Sequence, residues 1–422
     1  MLSAPAAGAA SADELDAVGR RVLGPPTSPF GVPGVLLAVR AAGQTRVVAL
    51  GHDGAGREMA RDRLFPLASA TKLATGLLVL RLIEDGALAL DGPVGDVLPD
   101  AAAAAVTVRA LLCHRGGLPL DLPPDVVDDA QVLDWRRLAG VVLRTPPRQA
   151  PWGEVSYSNV GYGLLALAAE RVTGWTFRDA LHRLVLDPMG LDTIFAADAP
   201  ERTIAITDVR SPLAGTDRDP YNSAHWRCLG LPWAGLAATP DALLDLLDAY
   251  RSADGPTDGA GVIRPETAAL ATTDHAESAA GGFPGGEALL GFHPGRPMRW
   301  APCAWGLSVE LRGDKRPHWT PAAASPRSFG QIGSSGCLAW HDPEAGASWA
   351  VLGARSTESG WLLRHGPALG TAALAAAARM TRGAPPHPSS SSSLTADDRP
   401  PDERRGLDAG RAPRAGDRRA GV

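Results

Sequence analysis

The stretch FPLASATK occupies residues 65–72 of this chain. It places Ser69 three residues before Lys72, at the head of a long apolar run. The apolar side chains of this run recur at helical spacing, which predicts a helix that begins near residue 70 and ends at Gly86. Because residues three apart share one face of a helix, the side chains of Ser69 and Lys72 are predicted to meet.

Lysine is rare in this sequence. Lys72 and Lys315 are the only lysines among 41 basic residues. A serine hydroxyl becomes a nucleophile when a base removes its proton, and lysine can be that base once burial or nearby positive charge lowers its pKa from about 10.4. Arginine stays protonated and cannot replace it. The alternative is a helix-capping Ser69 beside a surface Lys72 without a catalytic role.

A second candidate motif is VSYSNVGYG, residues 155–163. In an extended segment Tyr157 and Asn159 point to the same side. A phenol can relay a proton, and an amide can hold a substrate carbonyl or the lysine amine. The alternative is a helix-entry turn in which Asn159 is the cap.

The third candidate motif is SFGQIGSSG, residues 328–336. Gly330, Gly333 and Gly336 allow another backbone to approach a strand closely. A strand edge beside a nucleophile can bind an acyl substrate as an added strand and can supply an N–H to an oxyanion hole. The alternative is a glycine-rich edge strand without function.

The order of predicted elements indicates an α/β (α+β) fold. Segments 34–40 and 45–51 are predicted to form a β-hairpin, and the stretch from about 92 to 250 is mostly helical. Further strands and a closing helix, 357–380, are predicted after residue 300. Strands near both chain ends predict an antiparallel sheet sandwiched by helices, with an all-helical lobe over about 92–250.

The predicted domain covers residues 13–382. Residues 383–422 are poor in apolar side chains and rich in Pro, Ser, Asp and Arg, which predicts a disordered tail. The first 20 residues lack the basic and apolar regions of a signal peptide, and no segment is long and apolar enough to span a bilayer. A cytoplasmic location is therefore expected.

Charge and ligand patterns argue against several functional classes. The net charge of −5 leaves no basic footprint for nucleic acid or an anionic membrane. The four cysteines form no CxxC pair and the ten histidines form no HExxH motif, so neither a metal nor another cofactor is expected. The expected partner is a small-molecule acyl substrate, and the oligomeric state is left open.

Taken together, the three motifs resemble those of the serine β-lactamases and penicillin-binding proteins, in which Ser-x-x-Lys, Tyr-x-Asn and a glycine-flanked tripeptide follow in this order. The surrounding segments, among them PWGEVSYSNVGYGLLALAAERVTG, are most similar to the class C β-lactamase and esterase branch. The likeness covers roughly residues 15–382. It implies an α/β sandwich lobe and a helical lobe, with the active site in the cleft between them.

The resemblance also implies roles for individual residues. Ser69 would attack a carbonyl and form an acyl-enzyme, while Lys72 and Tyr157 would share the proton transfer. Which of these two is the base in acylation is left open. Asn159 would orient the substrate and Lys72. The backbone N–H groups of Ser69 and Ser334 would form the oxyanion hole.

The third motif departs from the family pattern. It usually begins with Lys, or with His in esterase-like relatives, but here it is Gln331-Ile332-Gly333. Gln331 and Gly333 would still contact substrate, yet Gln331 lacks the charge that holds an anionic carboxylate. Weak or absent β-lactamase and carboxypeptidase activity is therefore predicted, with a neutral ester or amide as substrate. Arg355, on the last predicted strand, is a candidate to restore the charge.

Three functions remain open at this point. The first is a serine hydrolase of a small ester or amide, the second an acyltransferase that uses the same site, and the third a catalytically silent binding protein. A Ser-His-Asp hydrolase is disfavoured because the chain has no G-x-S-x-G elbow, although His318 and His341 lie near the third motif in sequence. Loops near 119–150, 210–235 and 275–300 are predicted to set specificity.

Overall fold

In the computed structural model of this chain, the described residues are 9–383, except 26, 124–125, 127–133, 192, 252–260, 285–289 and 292–297. The predicted disordered tail, 383–422, lies outside the described residues apart from Gly383. The strands are β1 Gly34–Ala41, β2 Gln44–Gly51, β3 Phe65–Pro66, β4 Val155–Ser156, β5 Thr193–Phe195, β6 Leu236–Ala238, β7 Gly281–Gly282, β8 Arg299–Trp300, β9 Glu310–Leu311, β10 Phe329–Gly333, β11 Cys337–Asp342 and β12 Ala347–Gly353.

Helices lie near both ends of the described part of the chain and recur through its middle. The α-helices are α1 Ala9–Val22, α2 Lys72–Glu84, α3 Val108–Leu112, α4 Trp135–Arg144, α5 Asn159–Thr173, α6 Phe177–Leu181, α7 Asp187–Met189, α8 Ala224–Cys228, α9 Pro240–Asp248, α10 Pro265–Ala271 and α11 Trp361–Gly383. In the part of the chain that the structure describes, no helix combines the length and apolarity needed to cross a membrane.

The main sheet joins the two ends of the chain. Its six strands lie in the order β2-β1-β12-β11-β10-β9, and every neighbouring pair is antiparallel. The predicted hairpin is confirmed as β1 and β2, which are linked by Ala42 and Gly43, both with positive φ. Strand β1 then pairs with β12, with Leu37 opposite Val351. The predicted antiparallel sheet built from both chain ends is thus confirmed.

The sheet separates two apolar cores because side chains alternate between its faces. On β1, Leu36 and Ala38 pack into the core that includes the helices of the middle region. Val35 and Leu37 pack into the opposite core with residues of α1 and α11. Helices α3–α9 fall within the predicted helical lobe, where the short strands β4, β5 and β6 accompany them.

Helix α2 is the buried axis of the helical side. Residues 72–80 are all buried, as expected for a helix that is apolar on every side. Gly76 permits close packing, because a Cβ at this position would lie 2.1 Å from the Oγ atom of Ser308. The helix therefore begins, at Lys72, inside the protein and away from bulk water.

Candidate active site

Ser69 lies in a single 3₁₀ turn, Ala68–Thr71, between strand β3 and helix α2. Two neighbours hold this turn in place. The Leu67 N–H donates to the Leu236 carbonyl oxygen of β6 at 2.8 Å, and the Ser335 hydroxyl donates to the Pro66 carbonyl oxygen at 2.5 Å. The nucleophile candidate is thus fixed between β6 and the turn that follows β10.

Close approach of β10 to this turn requires glycine. A Cβ at Gly333 would lie 2.1 Å from the Leu67 carbonyl oxygen, two residues before Ser69. The predicted role of this glycine in backbone approach is confirmed, and the backbone it admits belongs to the Ser69 turn. Strand β9 pairs only with Phe329 and Gly330 of β10. Residues 331–333 thus have no described strand on that side, which leaves an edge beside Ser69.

Lys72 is fully buried and in contact with Ser69. Its Nζ lies 3.2 Å from Ser69 Oγ and 2.6 Å from Asn159 Oδ1, and it also donates to the Trp233 carbonyl oxygen at 3.4 Å. All three acceptors are uncharged. Burial lowers the pKa of Lys72 well below its ordinary value, and the nearby charge of Asp121 opposes this only in part. The amine is therefore suited to accept a proton.

Tyr157 lies beside both groups. Its ring packs against His114 and Phe283, with centroid distances of 4.3 and 4.4 Å, and Lys72 Nζ lies 4.7 Å from the ring centroid. Burial raises the pKa of the Tyr157 hydroxyl well above its ordinary value, although the neighbouring Ser69 side chain counteracts part of the rise. Within the described residues, the hydroxyl has no hydrogen-bond partner of good geometry.

Asn159 links Lys72 to an acidic residue. Ser158, not Asn159, is the cap of helix α5, because its Oγ accepts the Gly161 N–H at 3.0 Å. The Asn159 side chain is free to accept from Lys72 through Oδ1 and to donate through Nδ2 to Asp121 Oδ1 at 3.0 Å. The Tyr-x-Asn pair thus faces the nucleophile from one side, as its spacing predicts.

The third motif contributes Ile332 and Ser334 to the same pocket. Ser334 Oγ is 2.8 Å from the Tyr221 hydroxyl, and no described atom accepts the Ser334 backbone N–H. Gln331 points elsewhere: it is fully buried, and its Nε2 donates to the Ser308 carbonyl oxygen at 3.0 Å. The placement supports Ser334 as an oxyanion donor but gives Gln331 no contact with the pocket.

We call the cavity at Ser69 the Ser69 pocket. Its motif residues are Ser69, Tyr157, Asn159, Ile332 and Ser334. The loops predicted to set specificity supply the rest of its lining: Leu120 and Asp121, Tyr221, and Phe283 and Leu290, from the first, second and third loop respectively. The pocket therefore combines polar motif residues with a mostly apolar and aromatic wall.

Three other candidates lie away from this pocket. Arg355 donates through Nη1 to the Gly31 carbonyl oxygen at 2.6 Å and forms an ion pair with Asp208 at 2.8 Å. It does not restore a charge to the third motif. His318 Nδ1 is bonded to Thr320, and His341 Nδ1 to Ser348. Both histidines are buried, and neither lines the pocket.

Two further groups near the site, His114 and Lys315, were not predicted to lie there. His114 stacks on Tyr157, and its Nδ1 accepts the Ser158 N–H at 3.1 Å, while burial lowers its pKa well below the ordinary value. The second lysine, Lys315, forms a buried ion pair with Glu310 at 2.7 Å. The rarity of lysine was a signal for Lys315, but nothing in the local sequence of His114 indicated its contact with Tyr157.

Comparison with known proteins places this architecture among characterised relatives. The sequence model of the family named Beta-lactamase matches residues 28–365. Penicillin-binding protein 4 of Amycolatopsis lactamdurans is 32% identical over 208 residues, which cover 47% of this chain and 53% of that protein. Esterase EstB of Burkholderia gladioli is 36% identical over 180 residues, covering 37% of this chain and 45% of that protein. The chain thus matches about half the length of these relatives.

A solved structure extends the comparison over the whole fold. The structure described as "EstCE1, a hydrolase with promiscuous acyltransferase activity" superposes with a TM-score of 0.64 at 19% identity, covering 86% of this chain and 99% of that one. At this identity the likeness concerns the fold. The predicted resemblance is confirmed by the family match over most of the chain: this protein belongs to the beta-lactamase family, whose members include penicillin-binding proteins and esterases.

Proposed function

We propose that this protein is a serine hydrolase that acts on a small ester or amide without a negative charge, through an acyl-enzyme on Ser69. The observation that carries the proposal is the 3.2 Å contact between Ser69 Oγ and the Nζ of a fully buried Lys72 whose acceptors are all neutral. The free-base form of such an amine is more accessible than that of an exposed lysine, because burial penalises its charged form.

In acylation, Lys72 accepts the Ser69 proton while Oγ attacks the substrate carbonyl. Burial acts in opposite senses on the two candidate bases: it lowers the pKa of Lys72 and raises that of Tyr157. The free amine and the protonated phenol are therefore the favoured starting forms. This supports Lys72 as the acceptor and Tyr157 as the donor that protonates the leaving group as the tetrahedral intermediate collapses.

The tetrahedral intermediate needs hydrogen-bond donors for its oxyanion. Ser334 and Ser69 line the same pocket, and the backbone N–H of Ser334 is not taken by any described acceptor. Together with the Ser69 N–H it would stabilise the oxyanion, and loss of one such donor typically reduces the rate by about 10²–10³. In deacylation a water molecule attacks the ester carbonyl, its proton passes to the amine–phenol pair, and Ser69 is released.

Electrostatics favour a substrate without negative charge. Gln331 supplies no charge, Arg355 is held by Asp208, and Asp121 places a carboxylate in the pocket wall. A β-lactam or a peptide carboxylate would therefore lack a cationic partner among the described lining residues. We expect p-nitrophenyl acetate or butyrate to be hydrolysed far more efficiently than nitrocefin.

The test of this proposal is covalent labelling combined with hydrolysis. A fluorophosphonate probe should label the wild-type protein, with the adduct on Ser69 by mass spectrometry, and should not label Ser69→Ala. Hydrolysis of p-nitrophenyl esters should vanish in the same variant. Absence of labelling in folded wild-type protein would instead support a silent binding protein, and efficient nitrocefin turnover would overturn the assigned substrate charge.

Acyl transfer is a second candidate function. The likeness to a hydrolase described as having promiscuous acyltransferase activity, together with the apolar wall at Leu120, Phe283 and Leu290, supports an acceptor alcohol or amine replacing water. Adding alcohols of increasing chain length during ester turnover should divert product from the acid to the new ester. If the yield of acid is unchanged at all acceptor concentrations, the protein transfers the acyl group only to water and is a hydrolase.

A further inference from the structure

We propose that the Ser69 pocket selects acyl substrates that carry a positively charged ammonium group, an inference that rests on the function proposed above. The juxtaposition that supports it is a carboxylate, Asp121, and two aromatic side chains, Tyr221 and Phe283, around the same cavity as Ser69.

Asp121 presents an incompletely partnered carboxylate to this cavity. The residue is exposed at the pocket wall, and its Oδ1 accepts one hydrogen bond, from Asn159 Nδ2 at 3.0 Å. Within the described part of the chain it forms no ion pair with a lysine or arginine. A carboxylate in a partly enclosed site without a direct cationic partner attracts a cation from the ligand.

Lys72 is the cation whose charge acts on Asp121, and it does so across Asn159. Crowding by the surrounding protein raises the pKa of Asp121, while Asn159 and Lys72 lower it in part. Burial disfavours the charged form of Lys72. The amine therefore neutralises Asp121 only weakly and repels a substrate cation only weakly. A substrate ammonium would stabilise the ionised carboxylate and would meet little opposing charge.

The aromatic wall suits an alkylated ammonium group. Tyr221 and Phe283 line the pocket, and aromatic rings attract cations that approach their faces. Tyr157 is less available, because its ring already packs against His114 and Phe283 and lies beside the amine of Lys72. Tyr221 is held by its hydrogen bond to Ser334, so its ring is positioned next to the proposed oxyanion donor. A neutral or anionic group would gain neither the attraction to the Asp121 carboxylate nor the attraction to the aromatic rings.

Two pairs of isosteric substrates test the inference, one on each side of the reacting carbonyl. The first pair is acetylthiocholine and its analogue in which a tert-butyl group replaces the trimethylammonium group. The second is the p-nitrophenyl ester of γ-trimethylammonio-butanoic acid and its tert-butyl analogue. We expect kcat/KM of the ammonium substrate to exceed that of its isostere by at least about tenfold in at least one pair.

The matched variants are Asp121→Asn and, as a control, Asp62→Asn, an exposed aspartate that does not line the Ser69 pocket. Asp121→Asn should reduce the ratio of kcat/KM within the selected pair at least about tenfold, whatever its effect on the neutral isostere. Asp62→Asn should leave the ratio at the wild-type value, and fluorophosphonate labelling should report the folded site in each variant.

The outcomes separate the two proposals. If Ser69-dependent hydrolysis occurs without preference for either ammonium substrate, or if Asp121→Asn leaves the preference unchanged, the ammonium inference is wrong and the hydrolase assignment stands. If wild-type protein neither turns over any of the four substrates nor reacts with the fluorophosphonate, the proposed function fails, and the ammonium inference fails with it.

Discussion

The chain contains two lysines. Both are buried, but the groups that accept hydrogen bonds from their amines differ in charge. Lys72, 0% exposed, donates to the neutral oxygens of Ser69, Asn159 and Trp233. Lys315, 1% exposed, has its Nζ 2.7 Å from the carboxylate of Glu310. The first amine is buried beside neutral partners, whereas the second is buried as half of an ion pair.

The difference shows what makes a buried amine a base. At Lys72 burial lowers the pKa, and the carboxylate of Asp121 acts only from beyond Asn159. At the other site, burial pushes the pKa of Glu310 upward, but Lys315 and the neighbouring His318 outweigh it, so that the pKa lies below its ordinary value. There the carboxylate stays ionised opposite the lysine. A direct carboxylate partner thus distinguishes a structural lysine from a reactive one.

The largest expected effect is on activity at Lys72. Lys72→Met should reduce kcat/KM for p-nitrophenyl esters by about 10²–10⁴, because burial raises the pKa of Tyr157, the other candidate base, and so keeps its phenol protonated. Lys72→Arg should lose as much, since a guanidinium stays protonated. Steady-state kinetics on the folded variants measures both, and a loss below tenfold in Lys72→Met would contradict the assigned base.

The second effect is on stability at Lys315. Lys315→Met leaves the Glu310 carboxylate buried without its cation, and we expect the free energy of unfolding to fall by about 3–5 kcal/mol. Urea denaturation measures the change. The double variant Lys315→Met/Glu310→Gln removes both charges and should be less destabilised than Lys315→Met alone. Equal free energies of unfolding for the two variants would show that the unpaired Glu310 carboxylate is not what destabilises Lys315→Met.

Replacing the neutral partner of Lys72 by a carboxylate tests whether the charge of the partner sets the pKa of a buried lysine. Asn159→Asp places a carboxylate where Lys72 now donates to an amide at 2.6 Å, and so makes this site resemble that of Lys315. A carboxylate at this distance raises the pKa of the amine. The acidic limb of the kcat/KM profile should move upward by about one pH unit or more, so that the loss relative to wild type grows as the pH falls. Asn159→Ser, the control, should lower the rate without moving the limb upward.

The smallest effect is the pH dependence of stability. The pKa of Lys72 is lower in the folded than in the unfolded protein, so between the two values the unfolded state binds more protons and stability rises with pH. The free energy of unfolding of wild type minus that of Lys72→Met should therefore increase toward pH 10, by at most about 1.4 kcal/mol per pH unit. A flat or falling difference would show that burial does not depress this pKa.

Local sequence patterns were sufficient to predict a contact where neighbours in the chain are also neighbours in space. The contact of Ser69 with Lys72 follows from helical spacing, and the common orientation of Tyr157 and Asn159 follows from an extended backbone. The β1–β2 hairpin was predictable for the same reason. These short-range rules depend only on backbone geometry, which the residue types already favour.

Side-chain direction could not be predicted where the partner is distant in sequence. The orientation of Gln331 depends on the Ser308 carbonyl, that of Arg355 on Asp208, and neither contact leaves a trace near those residues in the chain. The Asp121 carboxylate likewise becomes part of the site only through Asn159. Long-range contacts of this kind arise from packing between elements that share no local pattern.

Residue type and spacing were enough to predict the family, the antiparallel sheet built from both chain ends, and the motif residues. Which lysine is paired with a carboxylate and which is not is apparent only in the folded protein. The reason is physical: the pKa of a buried group depends on its desolvation and on charges a few ångströms away, and both are supplied by segments brought together in folding.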